Sequence, residues 1–208
     1  MLAVFEHRKA RSGHHKAMTA AVAWLRSVGI VVHDDRPQPP GCFFPGVWYD
    51  GDAICYNPRV AHVGDLMHDA GHMAVLPAVL RRHLGVGCVF GGRNFKAVQA
   101  ELLDNAFYAQ AMLEATEWGD DVNAILHSNE AEATAWSYAA AMAAGIDPCR
   151  VLDAVAFFAQ GNPMPIPGGG VRERVLLDER RHPGIAGLAH AGMCVRSEFP
   201  RMNRWLQK

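Results

Sequence analysis

The sequence predicts an α+β fold: a mostly helical single domain with a small β-hairpin ahead of a histidine-bearing helix. Three observations predict it. Apolar residues recur at helical spacing through several long segments. One segment, VWYDGDAICY (47–56), instead reads as paired strands, with aromatic and β-branched residues on either side of a turn pair. The 208 residues, half of them hydrophobic, suffice for one well-buried core.

SGHHKAMTAAVAWLRSVGI (12–30) reads as the first helix, with Ser12 placed as an N-cap and Gly29 as the stop. DDRPQPPG (34–41) is a loop, because its prolines suit neither a helix nor an interior strand. In the hairpin, Asp50-Gly51 is the pairing that type I′ turns favour. A helix then runs through LMHDAGHMAVL to Pro77, with a short continuation in PAVLRRHLG. GVGCVFGG (85–92) lacks phosphate-loop spacing and reads as a connection. A helical pattern runs from Asn94 to about Thr116. NEAEATAWSYAAAMAAG (129–145) is a strong, alanine-rich helix ended by Gly145. A further helix is expected over roughly 149–159, a long loop over 161–170, and a short amphipathic helix in the tail EFPRMNRWLQ.

Composition excludes some functions. A formal net charge of −1 creates no field that would gather nucleic acid or an anionic membrane. No run approaches the ~18 consecutive apolar residues of a membrane span. The opening MLAVFEHRKARSGHHK is not the pattern of a secretory signal. The five cysteines (Cys42, Cys55, Cys88, Cys149, Cys194) are scattered, with no C-x-x-C pair, which fits free thiols in a reducing cytoplasm. A cytoplasmic location is the expectation.

The chemistry concentrates at LMHDAGHMAVL. His68 and His72 stand one helical turn apart, so both imidazoles leave the helix on one side, within reach of a shared tetrahedral metal. Val63, Leu66, Met67, Ala70, Ala74 and Val75 surround them with an apolar face. Gly71 costs about 1 kcal/mol against alanine in a helix, which implies that another backbone or a substrate lies close. The plain alternative is a pair of hydrogen-bonded core histidines. A catalytic zinc keeps three protein ligands and one open position. On chemistry alone Glu130 and Glu101 compete for the third place. Asn129, as an N-cap with Glu132 at its third position, would explain the same polarity without function.

The order of hairpin, histidine helix and later glutamate helix resembles the gluzincin side of the zincin metallopeptidases, including the ImmA/IrrE type. GDLMHDAGHMAVLP is similar to the G-D-L-L-H-E-A-G-H-L-A-V-x-P run of a group of small bacterial proteins. NEAEATAWSYAAAMAAGIDP resembles their E-M-A-x-x-A-W-S-Y-A-A segment, and FPRMNRWL their tail. The likeness reaches from about residue 46 to the end, with unrecognised stretches between. It implies a divalent metal, with zinc the expected ion, on His68, His72 and Glu130, and it prefers Glu130 to Glu101 and Glu132. The implied activity is hydrolysis of a peptide or small-molecule amide. The departure is Asp69, where H-E-x-x-H enzymes carry the glutamate that takes a proton from water. Aspartate is one methylene, about 1.5 Å, shorter. The resemblance therefore implies a metal site more directly than it implies hydrolysis.

LMHDAGHM also resembles the LLHDIGH stretch of HD-domain metal phosphohydrolases, where the adjacent histidine and aspartate are both ligands. His14, His15 or His33 would then serve upstream and Asp104, Asp120 or Asp121 downstream, with Arg81, Arg82 and Arg93 for phosphate. The hairpin reading of VWYDGDAICYNP opposes this, since an HD fold places helix there. A third class is a non-catalytic, metal-stabilised regulatory or partner-binding domain. Cys55, His62 or His127 would supply its fourth ligand. Trp136 and Tyr138, with Phe107 and Tyr108, read as core aromatics. His182 and His190 are distant candidates for the site's surroundings, and Asp104 or Asn105 could orient a ligand imidazole.

Overall fold

A computed structural model describes residues 2–40, 46–76, 81, 130–152 and 183–207; for 2–12, 130 and 183 it describes the backbone. These residues form a mostly helical α+β structure with a three-stranded sheet. Helix α1 spans Leu2–Ser27. It buries Ala17, Met18, Ala21, Val22 and Leu25, a stripe of helical period. The helix begins ten residues before Ser12, so Ser12 lies inside it and is not the N-cap that its type and position had implied. Gly29 does end it, with φ +94°, while the Ile30 amide turns back to Leu25 O at 3.0 Å.

Strand β1 (Val31–His33) runs parallel to β3 (Ala53–Tyr56), and β2 (Val47–Asp50) pairs antiparallel with β3 on its other side. All four residues of β3 are buried, as its central place requires. The hairpin forms where the sequence predicts, but its turn sits one residue later. Asp50 pairs with Ala53, so Gly51 and Asp52 are the turn. Only Gly51 has positive φ (+65°), the pattern of a type II′ rather than a type I′ turn. Arg36 pairs with Asp50 at the hairpin's end.

Helix α2 spans Val63–Val75 and all thirteen of its residues are buried. His62 is its N-cap: the ring Nδ1 accepts from Gly64 N at 3.0 Å. Helix α3 (Glu130–Ala143) packs antiparallel along α2, with Ser137 beside Met67 and Ala133 beside Gly71. Gly145, at φ +68°, ends it as predicted. Asp147 caps a single turn, α4 (Pro148–Val151), and Leu152 closes it. The remainder of the helix expected over 149–159 lies outside the described residues.

Helix α5 (Pro183–His190) has no counterpart in the sequence reading. Its two glycines hide the helical pattern and are the reason it fits. Gly184 lies against the backbone of Ala131, and Gly187 against the side chain of Glu132. The tail, in turn, is not the amphipathic helix that its pattern predicts. A 3-10 turn over Arg196–Glu198 is followed by extended Phe199, because a residue before proline is disfavoured in the helical region. Cys194 bridges to Met202, and Met202, Trp205 and Leu206 pack against the core. Trp136 Nε1 donates to Trp205 O at 3.0 Å, and Gln207 N to Ala74 O at 2.9 Å. Arg81 donates to both Leu76 O and Gln207 O, clasping the tail to the end of α2.

No helix among the described residues is long and apolar enough to cross a membrane. Cys55 and Cys194 are buried and Cys149 is exposed, with no disulfide among the described residues; Cys42 and Cys88 lie outside the described residues. So do the connections read at 85–92 and 161–170 and the helix read at 94–116.

Candidate metal centre

Six polar or charged side chains are buried among the described residues: Asp65, His68, Asp69, His72, Thr134 and Ser137. All six lie on α2 or α3. Polar groups are expensive to remove from water, so a set confined to two packed helices marks the place where the fold tolerates that cost. On α2 the four follow helical spacing at 65, 68, 69 and 72, a polar stripe inside an otherwise apolar element.

His68 and His72 are brought together. Their Nε2 atoms are 3.1 Å apart and their rings nearly perpendicular, at 86°, with centroids 4.6 Å apart. The centroids are closer than a head-on contact would put them, so the two nitrogens converge at an angle. Two imidazole nitrogens on one tetrahedral zinc, each 2.0–2.1 Å from it, stand about 3.3 Å apart. The pair fits such an ion. The same separation also suits an N–H···N hydrogen bond with one ring in its Nε2–H tautomer.

Asp69 is buried beside them, at 2 % exposure. Its main-chain carbonyl accepts from the Tyr49 hydroxyl at 3.0 Å. On the other flank Ser137 Oγ lies 3.1 Å from Met67 O and 2.6 Å from Ala133 O. Gly71, between the histidines, meets the α3 backbone: a Cβ there would come within 2.7 Å of Ala133 O. The close neighbour that a glycine at 71 implied is this helix.

Glu130 opens α3 one turn before Ala133. Its side chain lies outside the described atoms. Glu132 is placed on a different face, against Gly187 of α5. Burial pushes its carboxyl up to about 7, and its Oε2 is buried with no hydrogen-bond partner among the described residues. Among the described residues no three or more His, Cys, Asp or Glu side chains converge as a metal-binding group. His14, His15 and His33 therefore do not join His68 and Asp69. His14 Nε2 instead lies 3.2 Å from Ala61 O, with its ring against His62. Nor do Cys55 and His62 form a fourth ligand. Glu101, Asp104, Asn105, Asp120, Asp121, His127 and His182, with Arg82 and Arg93, lie outside the described residues. His190 is exposed at the end of α5.

Trp136 and Tyr138 are core residues, as expected. Trp136 packs with Trp24 and Trp205, and Tyr138 stacks on Phe199; Phe107 and Tyr108 lie outside the described residues. Asp65, Tyr49 and Ser137 were missed as site residues. Asp65 had a signal: it stands one turn before Asp69 and two before His72 on an apolar helix. Tyr49 and Ser137 act through backbone carbonyls, which leave no mark in the sequence. The chain matches no family description, no curated protein and no solved structure.

Proposed function

We propose that the chain is a mononuclear zinc-binding protein of the zincin-like kind, acting in the cytoplasm as a hydrolase of peptide or related amide bonds. His68 and His72 hold the ion, Glu130 completes the ligand set, and Asp69 stands in the place of the general base. The observation that carries this reading is the convergence of two imidazole nitrogens, 3.1 Å apart, on a helix buried along its whole length. A zinc ion held there supplies Lewis acidity toward an amide carbonyl and toward water. Asp69 takes a proton from the attacking water and passes it to the leaving amine. The apolar face of α2 excludes bulk water, which strengthens each of these interactions.

The hairpin before α2 supports this reading over a phosphohydrolase one, in which that segment is helical and an upstream histidine joins His68. The two readings make opposite claims about two residues. Elemental analysis of purified His72→Ala and Asp69→Ala decides between them. Zinc lost in His72→Ala and kept in Asp69→Ala is the expected result. Metal kept in His72→Ala and lost in Asp69→Ala overturns it. A zinc-loaded chain that cleaves no peptide or amide in a broad substrate panel is instead a metal-stabilised binding domain.

A further inference from the structure

Hydrolysis turns on Asp69, and the backbone of Asp69 carries a bond that a helix does not need. A carbonyl in the middle of an α-helix already accepts the amide four residues on. Asp69 O also accepts from Tyr49, the third residue of β2, within the protein interior. Tyr49 is 3 % exposed and is held in register opposite Ile54 of the central strand. From α3, Ser137 shares its single proton between Ala133 O and Met67 O. The carbonyls at 67 and 69, on either side of His68, are thus reached from two different elements. A donor entering a helix from outside draws the carbonyl outward and tilts the local backbone.

We infer that Tyr49 is a positioning residue for the His68–Asp69–His72 turn, tying the Asp69 backbone to the hairpin and so setting where its short carboxylate ends. A shift on the order of 1 Å is comparable with the ~1.5 Å that aspartate lacks against glutamate. The inference rests on the metal-centre reading above.

Tyr49→Phe removes the hydroxyl and keeps the ring. Tyr56→Phe is the control, a buried tyrosine of the central strand of the same sheet. Zinc affinity, read by competition with a chromophoric chelator, is expected to fall about 10-fold in Tyr49→Phe, the low end for an outer-shell partner. The visible absorption of the cobalt-loaded protein is expected to shift with it. In the metal-free chain, amides 68–73 should exchange about 10-fold faster in Tyr49→Phe while α3 amides stay unchanged. Tyr56→Phe should match the wild type in all three. Equal affinity, spectrum and exchange in Tyr49→Phe and wild type, or equal losses in the two variants, overturn the inference. If the wild type takes up neither zinc nor cobalt, the metal-centre reading falls. Exchange then decides the role of Tyr49 by itself: faster exchange confined to 68–73 supports it and unchanged exchange removes it.

Discussion

Gly71 of α2 and Ala133 of α3 meet backbone to backbone, with room for no Cβ between them. The contact lies between the two histidines in sequence and fixes how closely the glutamate-bearing helix approaches them. Gly71→Ala gains about 1 kcal/mol of helix propensity. It also forces two packed helices apart, which costs about 1–3 kcal/mol or more in a close-packed core. A net loss of stability is expected, measured by urea denaturation, together with weaker zinc retention. Gly145→Ala is a different case: open space surrounds it, and its penalty comes from φ +68° alone.

Histidine is an unusual N-cap, because its Nδ1 accepts only while unprotonated. As the pH falls, a second proton on His62 removes the acceptor and places positive charge at the positive end of α2. His14 faces the ring from α1, and Asp65 lies in the first turn. The wild type should therefore lose about 0.5–2 kcal/mol of cap stabilisation on acidification. His62→Asn, whose side-chain oxygen accepts at any pH in this range, should lose less. Melting temperatures of both proteins across mildly acid to neutral pH check this. Parallel curves would remove the cap as a pH-sensitive element.

Glu132 gives a pH dependence of the opposite sign. Burial against α5 raises its carboxyl from 4.5 to about 7 in the folded chain. Below 4.5 both folded and unfolded chains hold the proton, and the group contributes nothing. Between 4.5 and 7 the folded chain binds more protons, so stability falls as the pH rises, then levels above 7. The full effect is on the order of 3 kcal/mol at most. Glu132→Gln should match the wild type near pH 4.5 and exceed it at pH 8 in urea denaturation.

The hairpin, the histidine helix and the alanine-rich helix were legible because each is specified locally, by turn chemistry, spacing and a closing glycine. Ser12 misled because capping residues also occur inside helices, and only the chain before it decides. Helix α5 was hidden because its glycines serve a neighbour: Gly184 and Gly187 make sense once Ala131 and Glu132 are against them. The tail misled in the opposite way. Its apolar residues sit at helical spacing, but Pro200 holds Phe199 out of the helical region, and Trp205 is recruited by Trp24 and Trp136. The closeness of the His68 and His72 rings was legible from their spacing. The bond from Tyr49 was not, since it ends on a carbonyl that every residue has.

The clasp at the far end of α2 predicts a cost for shortening the tail. Removing residues 205–208 deletes the Trp205 ring from its contacts with Trp24 and Trp136, the Trp136–Trp205 hydrogen bond and the Gln207–Ala74 bond. Trp205 is only partly buried, so a loss of about 2–3 kcal/mol is expected, below the 3–5 kcal/mol of a fully buried tryptophan. The denaturation midpoint should fall accordingly. Faster amide exchange should appear first at 74–76, where the tail is bonded.

Asp69 and Tyr49 should show coupled effects on hydrolysis. Under the proposed hydrolase, Asp69→Asn keeps the shape and removes the proposed base, so zinc should remain while turnover falls by about 10²–10⁴. Asp69→Glu restores the methylene but places it in a site where Tyr49 already sets the height of the backbone. Extra volume at a residue 2 % exposed costs about 1–3 kcal/mol, so Asp69→Glu should not improve on the wild type. In the Tyr49→Phe background the tether is gone and the longer acid has a gap to span. There Asp69→Glu should raise turnover above that of Tyr49→Phe alone. The double-mutant cycle then gives a non-zero interaction term between positions 49 and 69. Strict additivity, with glutamate equally good or equally poor in both backgrounds, would show that the tyrosine bond does not set where the carboxylate ends.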